Sequence, residues 1–281
     1  MKIYEKLFNR WIQGDLGQIQ FNMKKSVCLE MLFAEVPFED RFQQAKEYGF
    51  DYIEFWSWQD KDIPKIKELC RVFDLKVASF SGDQDFSMID ENQREDYIAF
   101  MNESIDVAKF LSCDHLVVHS NALGENGVVI NHYPDSSHSK KMTVMLDVLK
   151  TLAPKAEKAQ VTLALESLNT RVDHAGNFLT STREAAELIR LVNSSSVKIL
   201  YDIYHMQIME GNIIHTLEEY IDTVGYIHMA DVPGRHEPGT GEINFTNVMK
   251  TLKKLKYDGI IGFELTPSQN SSKAVQAIQQ L

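Results

Sequence analysis

The chain has 281 residues, of which 44% are hydrophobic and 25% are charged, and its formal net charge is −11 with a pI near 5.3. This length and composition predict a globular protein with one large core or two small ones. The acidic charge argues against a nucleic acid as partner, because phosphate binding requires a basic face. No apolar run approaches membrane-spanning length, so we expect no membrane association.

The start of the chain and its cysteines indicate a cytoplasmic protein. The first ten residues carry four charged side chains, which is too many for the apolar core of a secretion signal. Cys28, Cys70 and Cys113 lie far apart and form no CxxC motif. This spacing is typical of buried thiols in a reducing compartment rather than of a disulfide framework or a zinc site.

Strand-like and helix-like segments alternate along the chain. Short runs rich in Val, Ile and aromatic residues predict eight strands, at Val27–Phe33, Tyr52–Trp56, Val77–Phe80, Leu116–His119, Val161–Glu166, Val197–Asp202, Val224–Asp231 and Ile260–Leu265. Apolar residues at helical spacing lie between them, including four sets that begin at Ile66, Met142, Ala185 and Phe245. Pro64 suits a first helical turn, Ser181 and Glu184 form a capping-box pattern, and Asn244 is a plausible N-cap.

This alternation predicts an α/β fold, a single (β/α)8 TIM barrel that spans residues 1–281. Residues 1–25 precede the first barrel strand, and we expect them to form an N-terminal extension, either a plug at the barrel bottom or an interface arm. The competing architecture is a doubly wound open sheet, which would be expected to have a Gly-rich turn after its first strand. Leu29–Val36 contains no glycine, which favours the barrel.

Four successive strands in the second half each end in a carboxylate or an imidazole. The four residues are Glu166, Asp202, His228 and Glu264. Because the carboxyl ends of parallel strands emerge on one side of a sheet, we expect these side chains to converge where TIM-barrel active sites lie. Carboxylates with one histidine suit a divalent cation such as Mg²⁺ or Mn²⁺, so the sequence predicts one metal site here.

Several longer motifs resemble one enzyme family. They are LEMLFAEVPF at 29–38, ALESLNT at 164–170, YDIYHMQIMEG at 201–211, YIHMADVPGRHEPGTGEINF at 226–245 and GFELTP at 262–267. From about Val27 onward the chain closely resembles the hydroxypyruvate isomerase family, which belongs to the xylose-isomerase-like barrels. That wider group also contains ketose 3-epimerases and an apurinic endonuclease branch.

The resemblance implies particular roles for the four strand-end residues. It implies one divalent metal ion held by Glu166, Asp202, His228 and Glu264, with the two glutamates also moving protons as the catalytic pair. One position departs from the family pattern: hydroxypyruvate isomerases tend to carry Gln where this chain has His228, whereas ketose epimerases carry His. This departure favours a sugar epimerase as the alternative.

The chemistry of such a site can be derived from its residues. Isomerising an α-hydroxycarbonyl compound requires removal of a proton from a weakly acidic carbon. A metal ion that bridges the carbonyl and hydroxyl oxygens acts as a Lewis acid and stabilises the resulting cis-enediolate. Glu166 and Glu264 end the fifth and eighth predicted strands, so they can face each other across the barrel mouth as base and acid.

Three further residues are predicted to bind the substrate. His205 follows Asp202 by three residues and is placed to donate a hydrogen bond to a substrate oxygen. Arg235 lies in a loop rich in glycine and proline, where it could grip a substrate carboxylate by a bidentate pair or instead anchor the loop through a salt bridge to Glu237 or Glu242. His119 ends the fourth strand, where it lines the pocket or packs in the core.

The remaining candidates are weaker. Glu242 could orient His205 or Arg235, or be a surface acid, and His236 is a minor pocket candidate. Glu54, Trp56 and Trp58 cluster at the end of the second strand, where the tryptophans form either a pocket wall or part of the core. The other histidines are assigned to surface or structural roles: His115, His132, His138, His174 and His215.

These observations predict a metal-dependent isomerase of a small α-hydroxycarbonyl compound, with conversion of hydroxypyruvate to tartronate semialdehyde as the principal reaction. The first alternative is an epimerase or isomerase of a neutral or modified sugar. A metal-dependent DNA-repair endonuclease is disfavoured by the acidic charge, and an inactive binding barrel by the presence of all four strand-end residues. The expected partner is therefore a small hydroxy acid or sugar, and a homo-oligomer is left open.

Overall fold

A computed structural model describes residues 23–83 and 85–281 of the chain. The predicted N-terminal extension, residues 1–25, lies almost wholly outside the described residues. Its last two residues, Lys24 and Lys25, belong to the first strand. Among the helices that the structure describes, none is both long enough and apolar enough to cross a membrane.

Eight parallel strands close into a barrel in chain order, and the last strand pairs with the first. The strands are β1 (Lys24–Cys28), β2 (Tyr52–Ser57), β3 (Lys76–Ser81), β4 (His115–Val118), β5 (Thr162–Glu166), β6 (Val197–Asp202), β7 (Val224–His228) and β8 (Ile260–Phe263). The predicted (β/α)8 barrel is confirmed. The doubly wound alternative is wrong, because an open sheet has no pairing between its first and last strands.

Helices connect the strands and cover the outside of the barrel. The described part of the chain has α1 (Asp40–Glu47), α2 (Ile63–Phe73), α3 (Arg94–Leu111), α4 (His138–Ala159), α5 (Thr182–Val192), α6 (Ile203–Met209), α7 (Ile213–Tyr220), α8 (Phe245–Lys254) and α9 (Ser271–Gln279). As predicted, Pro64 lies in the first turn of α2. The Asn244 side chain caps α8 by accepting the Asn247 N–H at 3.0 Å.

The predicted capping box at the start of α5 is wrong. Ser181 occupies the N-cap position, but its side chain makes no capping hydrogen bond. Glu210, which is distant in sequence, caps the start of α5 instead. Its carboxylate accepts hydrogen bonds from the Thr182 N–H at 2.9 Å and the Thr182 hydroxyl at 2.8 Å. Glu184 instead lies 3.1 Å from the exposed His138 side chain.

Some predicted strand ends are also displaced. The first predicted strand, Val27–Phe33, starts at Lys24 and ends at Cys28. The chain then turns, and the Leu32 N–H donates to the Cys28 carbonyl at 2.9 Å. The seventh strand ends at His228, earlier than predicted. Apolar residues continue beyond Cys28 and beyond His228, and for this reason the sequence predicts longer strands. These residues are buried in the turn and the loop that follow the strands.

The barrel interior is arranged in layers. An apolar layer is formed by Ala78, Val117, Ala164, Leu200, Tyr226 and Ile260. Side chains alternate between the two faces of a strand, so the residues two positions later also point inward, one layer nearer the carboxyl ends. Three residues of this apolar layer are thereby followed by Glu166, Asp202 and His228.

The loop between β7 and α8 is built around one buried carboxylate. Asp231 is fully buried, and it accepts four backbone N–H groups at 2.9–3.1 Å, from Val232, Gly239, Gly241 and Ile243. A Cβ on Gly241 would lie only 2.1 Å from the Val232 carbonyl oxygen, so this position requires glycine. The glycine-rich motif therefore shapes the loop that carries Arg235.

We expect Asp231→Asn to lower the free energy of unfolding by about 3 kcal/mol, because its amide NH₂ would face two N–H donors that now bond to a charged oxygen. Urea unfolding measures the change. Asp222→Asn is the matched control, since this exposed carboxylate pairs only with Arg190 within residues 23–83 and 85–281, and loss of that surface pair should cost less than about 1 kcal/mol. Equal losses in the two variants would contradict the role assigned to Asp231.

Candidate active site

The four predicted strand-end residues come together at the carboxyl end of the barrel. The side chains of Glu166, Asp202 and His228 end β5, β6 and β7, and Glu264 directly follows β8. The Nδ1 atom of His228 lies 3.9 Å from Glu166 Oε1, 4.0 Å from Asp202 Oδ2 and 3.5 Å from Glu264 Oε2. One imidazole nitrogen is thus surrounded by three carboxylates.

These residues fit a divalent cation. One possible ligand atom from each of Glu166, Asp202 and His228 lies within 4.8 Å of the others. Glu166 Oε1 and His228 Nδ1 are buried and have no hydrogen-bond partner in the described part of the chain. Burial raises the pKa of Asp202 to about 7, because the neighbouring Glu166 adds to the cost of its charge and Arg235 only partly offsets that cost. Carboxylate oxygens and one imidazole nitrogen are ligands that Mg²⁺ and Mn²⁺ accept.

Glu264 differs from Asp202 in its electrostatic surroundings. Burial alone would raise the pKa of Glu264, but Arg235 and then His228 outweigh it and lower that pKa to about 2. The indole N–H of Trp56 donates to Glu264 Oε1 at 2.7 Å, and Arg235 Nη2 contacts the other oxygen. The carboxylate of Glu264 is therefore ionised and held from two sides.

His119 lies at the site and contacts Glu166 directly. Its Nε2 is 3.1 Å from Glu166 Oε2, and its Nδ1 is 3.0 Å from Asp83 Oδ1. Asp83 also accepts the His119 backbone N–H at 2.6 Å and the Tyr97 hydroxyl at 3.1 Å. Burial would lower the pKa of His119, but Asp83 and then Glu166 outweigh it and raise that pKa to about 10. His119 is thus a cationic contact that holds Glu166.

His205 is fixed in one orientation by Asn169. The Asn169 side-chain amide donates to His205 Nδ1 at 2.7 Å, while its oxygen accepts the backbone N–H groups of Val172 and Asp173 at 3.0 and 3.1 Å. Because Nδ1 is an acceptor, Nε2 carries the proton, and this atom lies 3.5 Å from Asp202 Oδ2. Burial, with Arg235 adding to it, holds the pKa of His205 well below its usual range. His205 is therefore a neutral donor that points into the site.

Arg235 reaches the site rather than anchoring its own loop. Its guanidinium pairs with Glu264, lies 3.7 Å from Asp202 and packs over the Tyr204 ring at 5.2 Å. The predicted alternative, a salt bridge to Glu237 or Glu242, is wrong. The Nε atom of Arg235 is buried and makes no hydrogen bond within the described residues.

The acids near Arg235 have other partners. Glu237 accepts the Ser268 hydroxyl at 2.6 Å, and Glu242 accepts from the Gln207 amide at 3.2 Å. Glu242 therefore orients neither His205 nor Arg235, because it lies at the rim. His236 contacts the Thr266 carbonyl at 2.7 Å through its Nδ1.

The structure adds residues that the sequence did not single out. Asp83 and Asn169 position His119 and His205, and both lie in loops just beyond strands. His174, for which the sequence predicts a surface or structural role, is buried, and its ring lies 5.2 Å from that of His205. The position of Asn169 within the ALESLNT motif was an available signal. No comparable motif marked His174.

The tryptophans of the second strand have different locations. Trp56 is 46% exposed and forms a wall of the cavity beside Glu264. Trp58 instead donates to the Ser104 hydroxyl at 2.9 Å and stacks on Phe100 outside the barrel. The cavity above the strand ends has a volume of about 810 Å³ and is lined by Trp56 and His174 as well as by the residues described above.

Comparisons with known proteins agree with this architecture. Residues 42–281 match the family model described as the xylose isomerase-like TIM barrel. A hydroxypyruvate isomerase from Escherichia coli is 29% identical, over 90% of this chain and 97% of that protein. A 2-oxo-tetronate isomerase from Pectobacterium atrosepticum is also 29% identical, over 87% of this chain and 92% of that protein.

A solved structure shares the fold at lower sequence identity. The crystal structure of a family 2 AP endonuclease from Brucella melitensis superposes with a TM-score of 0.84 at 24% identity, covering 92% of this chain and 98% of that one. At this identity the likeness concerns the fold alone. The family match and the full-length relatives carry the assignment: the chain belongs to the xylose isomerase-like TIM-barrel family, and it is an isomerase.

Proposed function

We propose that this protein is a divalent-metal-dependent isomerase of small 2-oxo-3-hydroxy acids, with hydroxypyruvate, which gives tartronate semialdehyde, as its principal substrate. The observation that carries this proposal is the single imidazole nitrogen of His228 surrounded by Glu166, Asp202 and Glu264. The substrates in the names of the two relatives support the chemical class, because hydroxypyruvate and 2-oxo-tetronate are both 2-oxo acids with a hydroxyl on C3.

The metal would be held by Glu166, Asp202, His228 and Glu264. A bound Mg²⁺ or Mn²⁺ ion supplies Lewis-acid polarisation of the substrate carbonyl, which makes the neighbouring C–H acidic enough for a carboxylate to act on it. Asp202 and His228 have no other assigned part in the reaction. Their role is to complete the ligand set around the two glutamates.

The reaction moves two protons and loses no atom. One proton passes from C3 to C2 and another from the C3 hydroxyl to the C2 oxygen, through a cis-enediolate. Glu166 and Glu264 serve as base and acid from β5 and β8, which are separated by two strands around the barrel. His119 holds Glu166, and Trp56 holds Glu264, so each carboxylate is kept in place by its own hydrogen-bond donor.

The other polar groups bind the substrate. His205 presents a neutral Nε2–H to a substrate oxygen, because Asn169 occupies its Nδ1. Arg235 offers its buried Nε to the substrate carboxylate while its Nη2 stays with Glu264. The carboxylate of a hydroxy acid would accept a hydrogen bond from this donor. A neutral sugar would offer the Arg235 guanidinium no opposite charge.

The alternative is a ketose 3-epimerase or isomerase that acts on a neutral sugar. The placement of Glu166 and Glu264 on different sides of the barrel mouth favours it, because inversion at carbon requires proton removal from one face and return at the other. His228 favours it as well, for the reason given by the sequence resemblance. A DNA-repair endonuclease remains disfavoured by the net charge of −11.

Removal of divalent metal should abolish turnover of hydroxypyruvate, and Mg²⁺ or Mn²⁺ should restore it, because the polarised carbonyl depends on the ion. The measurement is activity after chelation and dialysis, with elemental analysis of the same sample. A crystal soaked in Mn²⁺ should show Glu166, Asp202, His228 and Glu264 within about 2.0–2.6 Å of one ion. Full activity in protein shown to be metal-free would contradict the proposal.

Glu166→Gln and Glu264→Gln should each reduce turnover by roughly 10²–10⁴-fold, or more where metal binding is weakened as well. Glu242→Gln is the control and should leave turnover near the wild-type value, since among the described residues the side chain of this rim glutamate hydrogen-bonds only with Gln207. During turnover in deuterium oxide, deuterium should enter at the carbon next to the carbonyl. Proton NMR should then show loss of the signal from the proton on that carbon. Product formed without deuterium would point to a hydride shift or a shielded proton, and the two-carboxylate scheme would need revision.

Arg235→Lys should raise the Michaelis constant for hydroxypyruvate more than that for a ketose such as tagatose, because lysine keeps the charge but loses the planar guanidinium. The ratio of the two effects is the measurement. If the protein turns over a ketose but not hydroxypyruvate, the proposal of a substrate with a carboxylate is wrong, and the epimerase alternative replaces it.

A further inference from the structure

A buried carboxylate that the proposed reaction does not use lies beneath the metal-fitting residues. Glu54 belongs to β2, points into the barrel and is only 3% exposed. Its Oε2 accepts the Tyr226 hydroxyl at 2.5 Å and the Ser79 hydroxyl at 3.3 Å. A buried carboxylate is costly unless its oxygens are satisfied, so these two hydroxyls explain how one oxygen is accommodated.

The other oxygen of Glu54 faces His228. Glu54 Oε1 lies 3.3 Å from His228 Nε2, and both atoms are buried and have no hydrogen-bond partner among the described residues. The opposite ring atom, His228 Nδ1, faces the carboxylates of the site. The imidazole is therefore placed between one carboxylate below and three carboxylates above, with one nitrogen directed to each side.

The surrounding sequence leaves space for this contact. A Cβ on Gly262 of β8 would lie 2.5 and 2.7 Å from the two Glu54 oxygens and 2.8 Å from His228 Cδ2. Strand β2 also shifts its register against β3 between Ile53 and Glu54, an irregularity that commonly redirects a side chain. Tyr226, one layer below, packs edge-on against the His228 ring at 5.4 Å.

We infer that Glu54 is a positioning residue, which accepts the Nε2–H of His228 and so keeps the Nδ1 lone pair directed at the metal. The inference rests on the proposed metal site. A histidine ligand uses the nitrogen that carries no proton, and the hydrogen bond made by the other nitrogen decides which one that is. No other described residue is placed to accept from Nε2.

The first test is the Mn²⁺ affinity of Glu54→Gln, measured by EPR titration of the metal-depleted full-length protein. We expect the dissociation constant to rise about 10–100-fold, which is the usual effect of losing the hydrogen-bond partner of a metal-bound histidine. Glu125→Gln is the charge-matched control, because this exposed glutamate lines the same cavity and should leave the constant unchanged. If Glu54→Gln does not fold, Tyr226→Phe removes one support of Glu54 and should weaken binding in the same direction.

The second test distinguishes positioning from a general structural effect. Pulsed EPR of Mn²⁺-saturated wild-type protein, with and without ¹⁵N-labelled histidine, should show one coordinated imidazole nitrogen, and this signal should be lost or weakened in Glu54→Gln. An unchanged imidazole signal in Mn²⁺-saturated Glu54→Gln overturns the inference, whatever the Mn²⁺ dissociation constant of that variant. Mn²⁺ bound by wild-type protein without an imidazole signal also overturns it and leaves the metal site standing. Absence of Mn²⁺ binding by wild-type protein overturns the proposed function, and the inference with it.

Discussion

The concentration of negative charge around one imidazole nitrogen is the constraint on which the rest of the site depends. Glu166 and Asp202 are buried beside His228, and Glu264 is partly buried there, and buried anions are costly without opposing charge. Arg235 and His119 supply part of that charge from two sides. The raised pKa of Asp202 shows that the compensation is incomplete, which is the condition that a divalent cation would satisfy.

A surrounding set of residues turns this cluster of charges into a defined geometry. Trp56 and His119 each hold one glutamate, and Asn169 fixes the orientation of His205. Asp231 performs the same task for a whole loop, because its four accepted N–H groups fold the segment that brings Arg235 over the barrel mouth. Groups positioned in advance in this way lose little further freedom when a substrate binds.

The sequence predicted the barrel and the four strand-end residues because both follow from a local period. Alternation along a strand places Glu166 two residues beyond Ala164, and parallel strands bring all such positions to one end. Contacts between distant segments could not be predicted in this way. Glu210 displaced the expected capping box at Ser181, and His174 is buried by a loop whose path no local pattern specifies.

Arg235 connects substrate binding to the proton chemistry of the site. The same guanidinium that lowers the pKa of Glu264 is the one that we propose binds the substrate carboxylate. A ligand carboxylate at Nε would therefore share its cation with Glu264, and this sharing weakens the hold of Arg235 on that glutamate's negative charge. A neutral sugar would leave the Arg235–Glu264 pair undisturbed. The charge of the substrate thus bears on the proton affinity of Glu264 as well as on binding strength, and the two candidate reactions would place different demands on the same pair of residues.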